Sequence, residues 1–182
     1  MSLEAHLIQN LVTPPGECIL GRKEVILMSD ISMKFFMPMK VASTEKKGPR
    51  EEMGKVLEQI SQVLKEKKVK IAGTPMALLD EGVKAIDLQK AHLEVCLPIS
   101  GKVKGEGEVK GKELEKGAFA CITHSGSSEK LAEAYQELQK WIEENGYRIV
   151  GPSREVHHKG MGESGGQPQD CMIELQFPVR KG

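Results

Sequence analysis

Two separate stretches of the chain show the 3.6-residue apolar period of an amphipathic helix. Each stretch follows one apolar segment of strand character and precedes two more. The helical positions are Met53, Val56, Leu57, Ile60, Val63 and Leu64 in the first stretch, and Leu131, Tyr135, Leu138, Trp141 and Ile142 in the second. Gly146 is well placed to end the second helix, because glycine readily adopts the left-handed conformation that often follows a helix. The pattern therefore predicts the order β-α-β-β twice.

The strand segments of the two units can be placed from their alternation. In the first unit they are residues 33–44, 69–79 and 88–99, and in the second they are residues 118–124, 147–157 and 171–179. Within the last segment, Ile173, Leu175 and Phe177 point one way and Glu174 the other, since successive strand residues face opposite sides. The apolar set is expected to cover the second helix.

The two units are copies of each other. Adding 78 to the residue numbers moves 48–73 onto 126–151, so that Leu57 falls on Tyr135. Adding 80 moves 93–99 onto 173–179 and leaves two extra residues for a longer loop in the second copy. Two matches at nearly one spacing indicate an internal duplication. The predicted fold class is therefore α/β of the α+β type, with antiparallel sheets and a helix packed on each.

The domain organisation follows from the duplication. A chain of 182 residues suits one hydrophobic core. We predict an N-terminal extension over residues 1–30 and one domain over 31–182. Within the domain, repeat one covers about 33–99 and repeat two about 117–180. The connector between them, 100–116, is rich in Gly and Lys and is consistent with a short hairpin arm.

Charge and composition exclude several classes of protein. Lys plus Arg and Asp plus Glu are both 26, so no global field attracts nucleic acid or an anionic membrane. No apolar run approaches the roughly 20 residues of a membrane helix, and no signal peptide is recognisable. The four cysteines form no Cys-x-x-Cys pair and are interpreted as reduced thiols. We therefore expect a cytoplasmic protein that does not bind membranes.

No metal or cofactor site is predicted. His157 and His158 are strand neighbours on opposite faces, so they cannot chelate one metal ion together. Residues 160–165 match the Gly-x-Gly-x-x-Gly pattern of a dinucleotide-binding loop, but a strand rather than a helix is predicted after them. That segment is interpreted as a hairpin loop.

The second copy carries a recognisable order of segments. It runs from a strand at 119–124 through the helical stretch 126–146 to Tyr-Arg-Ile-Val-Gly-Pro, Arg-Glu-Val and a closing Ile-Glu-Leu-Gln-Phe-Pro-Val. This order resembles the GyrI-like effector-binding family, and the resemblance extends over about residues 33–180. It implies two β-α-β-β halves about a pseudo-twofold axis. It also implies helices on one side and, on the other, a cleft for amphipathic, often cationic or aromatic, small molecules. The fold of the SOUL proteins is similar.

The resemblance implies a function and leaves alternatives open. The first interpretation is a stand-alone small-molecule binder with a regulatory or toxin-sequestering role, related to multidrug-responsive transcription regulators. The second is a hydrolase of reactive cyclopropane-type toxins that uses a cleft Glu. The third is a protein-interaction module with gyrase or a regulator as partner. The regulators in the family carry a separate DNA-binding region. The residues before repeat one are too few for such a region and include Pro14 and Pro15, so no direct nucleic-acid binding is expected.

The ligand site is predicted on the cleft side of the sheet. Glu174 faces that side by its strand phase, and Glu155 is assigned to it because it alternates with the apolar Val156. If Glu174 is unpaired there, its pKa is expected above the usual value of about 4.3. Tyr135 and Trp141 are interpreted as packing residues. The predicted ligand-binding residues are Glu174, Glu155, Glu94, His157, Tyr147 and Met172.

Overall fold

The structure is a computed structural model that describes residues 31–47, 52–79, 92–127, 130–159 and 171–182. The predicted N-terminal extension 1–30 and the Gly-rich loop 160–170 lie outside the described residues. The helices are α1 (Met53–Glu66) and α2 (Leu131–Glu144). The strands are β1 (Ser32–Phe36), β2 (Met39–Lys47), β3 (Lys70–Ile71), β4 (Met76–Leu79), β5 (His92–Ser100), β6 (Lys110–Leu114), β7 (Gly117–Gly126), β8 (Tyr147–Ile149), β9 (Ser153–Lys159) and β10 (Cys171–Lys181).

All described strands belong to one antiparallel, curled sheet with the order β1-β7-β10-β9-β4-β5-β2-β6, to which β3 adds on β5 and β8 on β10. The predicted antiparallel α+β fold is confirmed. The halves meet at the β4–β9 seam, where Ala77 pairs directly with Glu155. These two residues are repeat mates, 78 positions apart. The pseudo-twofold axis therefore passes through this pair.

The edge strands cross between the halves. β1 precedes copy one but pairs with β7 of copy two, and β6 precedes copy two but pairs with β2 of copy one. The predicted single strand over 33–44 is therefore wrong, because it divides near Pro38 into β1 and β2. Proline cannot donate to a strand ladder, which explains the division there. The connector 100–116 contributes the full strand β6.

Apolar residues cover both faces of the sheet. On the helix-bearing face, α1 packs on β2 and β5 through residues such as Ile60 and Leu64, and α2 packs on β7 and β10 through Leu138 and others. A third buried cluster lies on the other side of the sheet, which we call the opposite face. That cluster consists of Val41, Met76, Leu78, Cys96, Leu114 and Val156.

The two helices end in the same way with different residues. α2 is followed by Gly146 with φ of 69°, as its predicted role as a helix stop requires, and α1 is followed by Lys68 with φ of 54°. The two positions are repeat mates. A residue with a Cβ is destabilised by about 1–2 kcal/mol in the left-handed conformation. The advantage of glycine at such a position is smaller than this, because glycine loses more conformational entropy on folding.

We expect Lys68→Gly to raise the free energy of unfolding by about 0.5 kcal/mol, and Gly146→Lys to lower it by about 1 kcal/mol. Urea denaturation of both variants measures the two changes. The control is Lys67→Gly, because Lys67 has an ordinary φ of −82°. It should lose about 0.5–1 kcal/mol. Destabilisation by Lys68→Gly to the same extent as Lys67→Gly would contradict this account.

Candidate functional site

Glu174 lies on the opposite face, as its strand phase predicts. Its chain neighbours Ile173 and Leu175 are buried in the cluster around α2. Lys34 Nζ lies 2.9 Å from Glu174 Oε1, and Gln176 Nε2 donates a hydrogen bond of 3.1 Å to the same oxygen. His158 Nε2 is 3.6 Å from Oε2. Both oxygens of the Glu174 carboxylate thus have a polar partner.

Glu94 occupies the symmetric place in the other half. It is the repeat mate of Glu174 and lies on the same face, where Lys112 Nζ donates to its Oε2. Lys112 is in turn the mate of Lys34. The crossing of β1 and β6 therefore gives each of the two carboxylates a lysine from an edge strand.

The partners of Glu174 determine the direction of its pKa shift. Burial alone would raise it, but the hydrogen bonds and charge from Lys34, with those from Gln176 and His158, outweigh that effect and hold the pKa below its usual range. The upward shift is expected only for an unpaired carboxylate, and Glu174 is paired with Lys34. A depressed folded-state pKa means that the ion pair stabilises the fold above the unfolded-state pKa, and that this stabilisation is lost as pH falls through the folded-state pKa.

Glu155 and His157 lie on the helix-bearing face, so their predicted placement on the cleft side is wrong. Glu155 is fully buried, and the Tyr135 hydroxyl of α2 donates to its Oε1. His157 Nε2 lies 3.5 Å from Glu155 Oε2. The prediction assumed that the apolar Val156 faces the helices. Val156 instead packs in the apolar cluster of the opposite face.

Copy one has no counterpart of this polar group. The mates of Tyr135 and Glu155 are Leu57 and Ala77, both packed in the core around α1. Copy one therefore forms the same fold with apolar residues at these two positions. A buried carboxylate costs several kcal/mol of desolvation unless its surroundings repay it, and such groups concentrate at functional sites.

Tyr135 is a functional candidate that the sequence analysis assigned to packing alone. It does pack: its side chain is 1% exposed and meets Phe177 edge to face at 5.7 Å between ring centroids. Its hydroxyl nevertheless bonds Glu155. The signal for this role was present in the repeat alignment, where Leu57 and Ala77 become Tyr and Glu in the second copy.

A pocket of about 490 Å³ opens on the same face as Glu155. It lies between α1 and the sheet, and the carbonyl of its wall residue Pro75 accepts a hydrogen bond of 3.0 Å from the backbone N–H of His157. Its volume is in the range of small-molecule sites. Its lining residues are Gly54, Leu57, Glu58, Ser61, Gln62, Lys65, Pro75 and Leu97.

The remaining predicted residues lie apart from this cluster. Tyr147 stacks on Trp141 of α2 at 6.1 Å and receives Lys181 Nζ at 4.5 Å from its ring, so it does not line the opposite face. Its predicted role in ligand binding stays a prediction. Trp141 packs as expected. Met172 is partly exposed, beside Ser125 at the end of β10.

In the part of the chain that the structure describes, no three His, Cys, Asp or Glu side chains are grouped so that they could hold a metal ion. Neither described helix is long and apolar enough to cross a membrane.

The family model of the GyrI-like small molecule binding domain matches residues 29–180, which is most of the chain. The chain belongs to the GyrI-like family. The resemblance seen in the sequence is thereby confirmed, and with it the assignment as a small-molecule-binding domain. No curated protein sequence matches the chain significantly.

Solved structures show that the GyrI-like fold is shared. The C-terminal domain of EcmrR superposes with a TM-score of 0.75 and 22% identity, covering 86% of this chain and 100% of that domain. A hydrolase encoded by lin2189 of Listeria innocua gives 0.63 and 14%, with coverage of 82% and 91%. SAV2435 bound to tetraphenylphosphonium gives 0.51 and 10%, with coverage of 83% and 94%.

This chain matches only part of EcmrR. In the comparison with the structure of the EcmrR–DNA complex, the match covers 59% of the EcmrR chain, with 22% identity. The domain thus corresponds to one part of that regulator. At these identities the likeness describes the fold.

Proposed function

We propose that this GyrI-like domain binds lipophilic organic cations on its helix-bearing face, at the seam between its halves. Glu155 supplies the opposing charge and Tyr135 orients it. The observation that carries the proposal is the buried Tyr135–Glu155 pair, at positions where the other copy of the same fold has Leu57 and Ala77. A cation beside a carboxylate in a low-dielectric site gains far more Coulomb energy than it does in water.

The neighbouring pocket suits the body of such a ligand. Leu57, Pro75 and Leu97 give it apolar walls, and its polar lining residues are Glu58, Ser61, Gln62 and Lys65. The ligand class agrees with one solved relative in fold, SAV2435, whose structure contains tetraphenylphosphonium.

The opposite face is the weaker candidate for a cation. Glu174 and Glu94 each hold a lysine already, so a ligand there competes with Lys34 or Lys112 for the carboxylate. Their role in binding, like that of Met172, stays a prediction.

The hydrolase interpretation gains one specific observation. It needs an aromatic residue or a Tyr near the active Glu, and the Tyr135 hydroxyl donates a hydrogen bond to Glu155. In that reaction Glu155 would accept a proton from water while the water oxygen bonds to a carbon of the strained ring. The electron pair of the broken ring bond would then take up a proton, either from Glu155 or from solvent. Chromatography of a cyclopropane-bearing electrophile with substoichiometric protein distinguishes the two functions. A hydrolase converts many equivalents, whereas a binder protects at most one.

Calorimetric titration with tetraphenylphosphonium and with the neutral triphenylphosphine oxide tests the proposal. We expect the cation to bind at least tenfold more tightly, since a charge-assisted contact contributes about 1.5–3 kcal/mol. Equal affinities, or no binding of the cation, would refute it. Cytoplasmic location, the absence of direct DNA binding and a partner such as gyrase stay predictions.

A further inference from the structure

Arg154 is a buried cation on the opposite face. Its residue surface is 7% exposed, and its guanidinium carbon lies 4.2 Å from the centroid of the Phe119 ring. Its Nη2 donates a long hydrogen bond of 3.4 Å to the carbonyl of Glu115. A guanidinium has five N–H donors. Among the described residues, no carboxylate lies within ion-pair distance of Arg154.

The described side chains around Arg154 provide no carboxylate partner. Arg154 pairs across the sheet with Leu78 on one side and Gln176 on the other. The carboxylates of that face on β10 and β5, Glu174 and Glu94, are bonded to lysines. Its chain neighbour Glu155 lies on the other side of the sheet.

The thiols within electrostatic reach of Arg154 do not neutralise it either. Cys121 lies two strands from β9 on one side and Cys96 two strands on the other. Burial raises the pKa of each thiol to about 12, so both are uncharged at neutral pH. Burial also lowers the pKa of Arg154, but an arginine side chain stays protonated in proteins. Neither thiol therefore supplies a negative charge to Arg154.

The Ser43 hydroxyl lies on the same face, but three strands away from β9 in the sheet order. Ser43 is 1% exposed, and its Oγ has no hydrogen-bond partner among the described residues. It pairs across the sheet with Cys96. Apolar side chains, among them Val41, Met76 and Val156, form much of the rest of this face.

We propose that the opposite face is a second ligand site, which takes a small aromatic or aliphatic carboxylate. Arg154 binds the carboxylate of the ligand, and apolar side chains of the same face, among them Val156, contact the ligand body. An arginine fork binds a carboxylate bidentately, and an anion offsets the cost of a buried unpaired cation. The consecutive residues Arg154 and Glu155 thus serve ligands of opposite charge on the two faces of β9.

The test is calorimetric titration with benzoate and with the isosteric neutral benzamide. We expect the native domain to bind benzoate and to bind benzamide at least tenfold more weakly. Arg154→Met should abolish that preference, and it should fold, because its mate in copy one is Met76. Removal of an unpaired buried charge should raise its midpoint of thermal unfolding.

Controls separate this site from the cation site. Arg148→Met removes an exposed arginine of β8 and should leave benzoate binding unchanged. Arg154→Lys keeps the charge without the fork and should bind with intermediate affinity. Arg154→Met should retain tetraphenylphosphonium, and Glu155→Gln should retain benzoate. Failure of the native domain to bind benzoate, or equal binding by Arg154→Met, overturns the proposal and leaves the cation site untouched.

Discussion

Replacing Glu155 with Gln is expected to weaken tetraphenylphosphonium binding by about 1.5–3 kcal/mol, a factor of roughly 10 to 150. Gln keeps the shape of the side chain and an oxygen that accepts from Tyr135, so only the charge is removed. Affinity for triphenylphosphine oxide should change little. Calorimetry on the native and variant domains gives both differences directly.

The matched control is Glu174→Gln. It removes a carboxylate from the opposite face, where Lys34 already neutralises it, so the affinity for the cation should stay within about twofold. The reverse result, with the loss in Glu174→Gln and none in Glu155→Gln, would locate the cation on the opposite face and contradict the proposal. Glu155→Gln should also unfold at the same or a higher temperature, because a neutral amide costs less to bury than a carboxylate.

Phe177→Ala is expected to cost about 3–5 kcal/mol of the free energy of unfolding. Phe177 is fully buried in the core around α2, and its ring meets that of Tyr135 edge to face. Truncation leaves a cavity under the helix that positions the Tyr135 hydroxyl. The midpoint of thermal unfolding should fall by roughly 2–4 °C per kcal/mol for a domain of this size.

Phe35→Ala is the control for this loss. Phe35 is 64% exposed on the edge strand β1, so its truncation should change the free energy of unfolding by less than about 0.5 kcal/mol. Equal losses of unfolding free energy in the two variants would contradict the burial of Phe177 and the exposure of Phe35. A folded Phe177→Ala domain should also bind tetraphenylphosphonium more weakly, since Tyr135 loses the ring that supports it.

Several errors of the sequence analysis share one physical origin. The alternation of β9 correctly separated Glu155 and His157 from Val156, but it could not say which set faces the helices. Hydrophobic alternation identifies the buried face only when one face is polar. Here both faces of β9 are buried, with the polar Glu155 and His157 under the helices and the apolar Val156 in the cluster of the opposite face.

The sequence by itself determined the duplication, the two helices, the antiparallel class and the family, because these depend on periodicity and segment order along the chain. It also determined the phase of Glu174, whose strand has a clearly apolar side. Only the tertiary structure decided that Lys34 pairs with a carboxylate 140 positions away, and that Tyr135 reaches Glu155. Those contacts arise from the crossing of the edge strands and the packing of α2 on the sheet, and neither leaves a periodic signal in the chain.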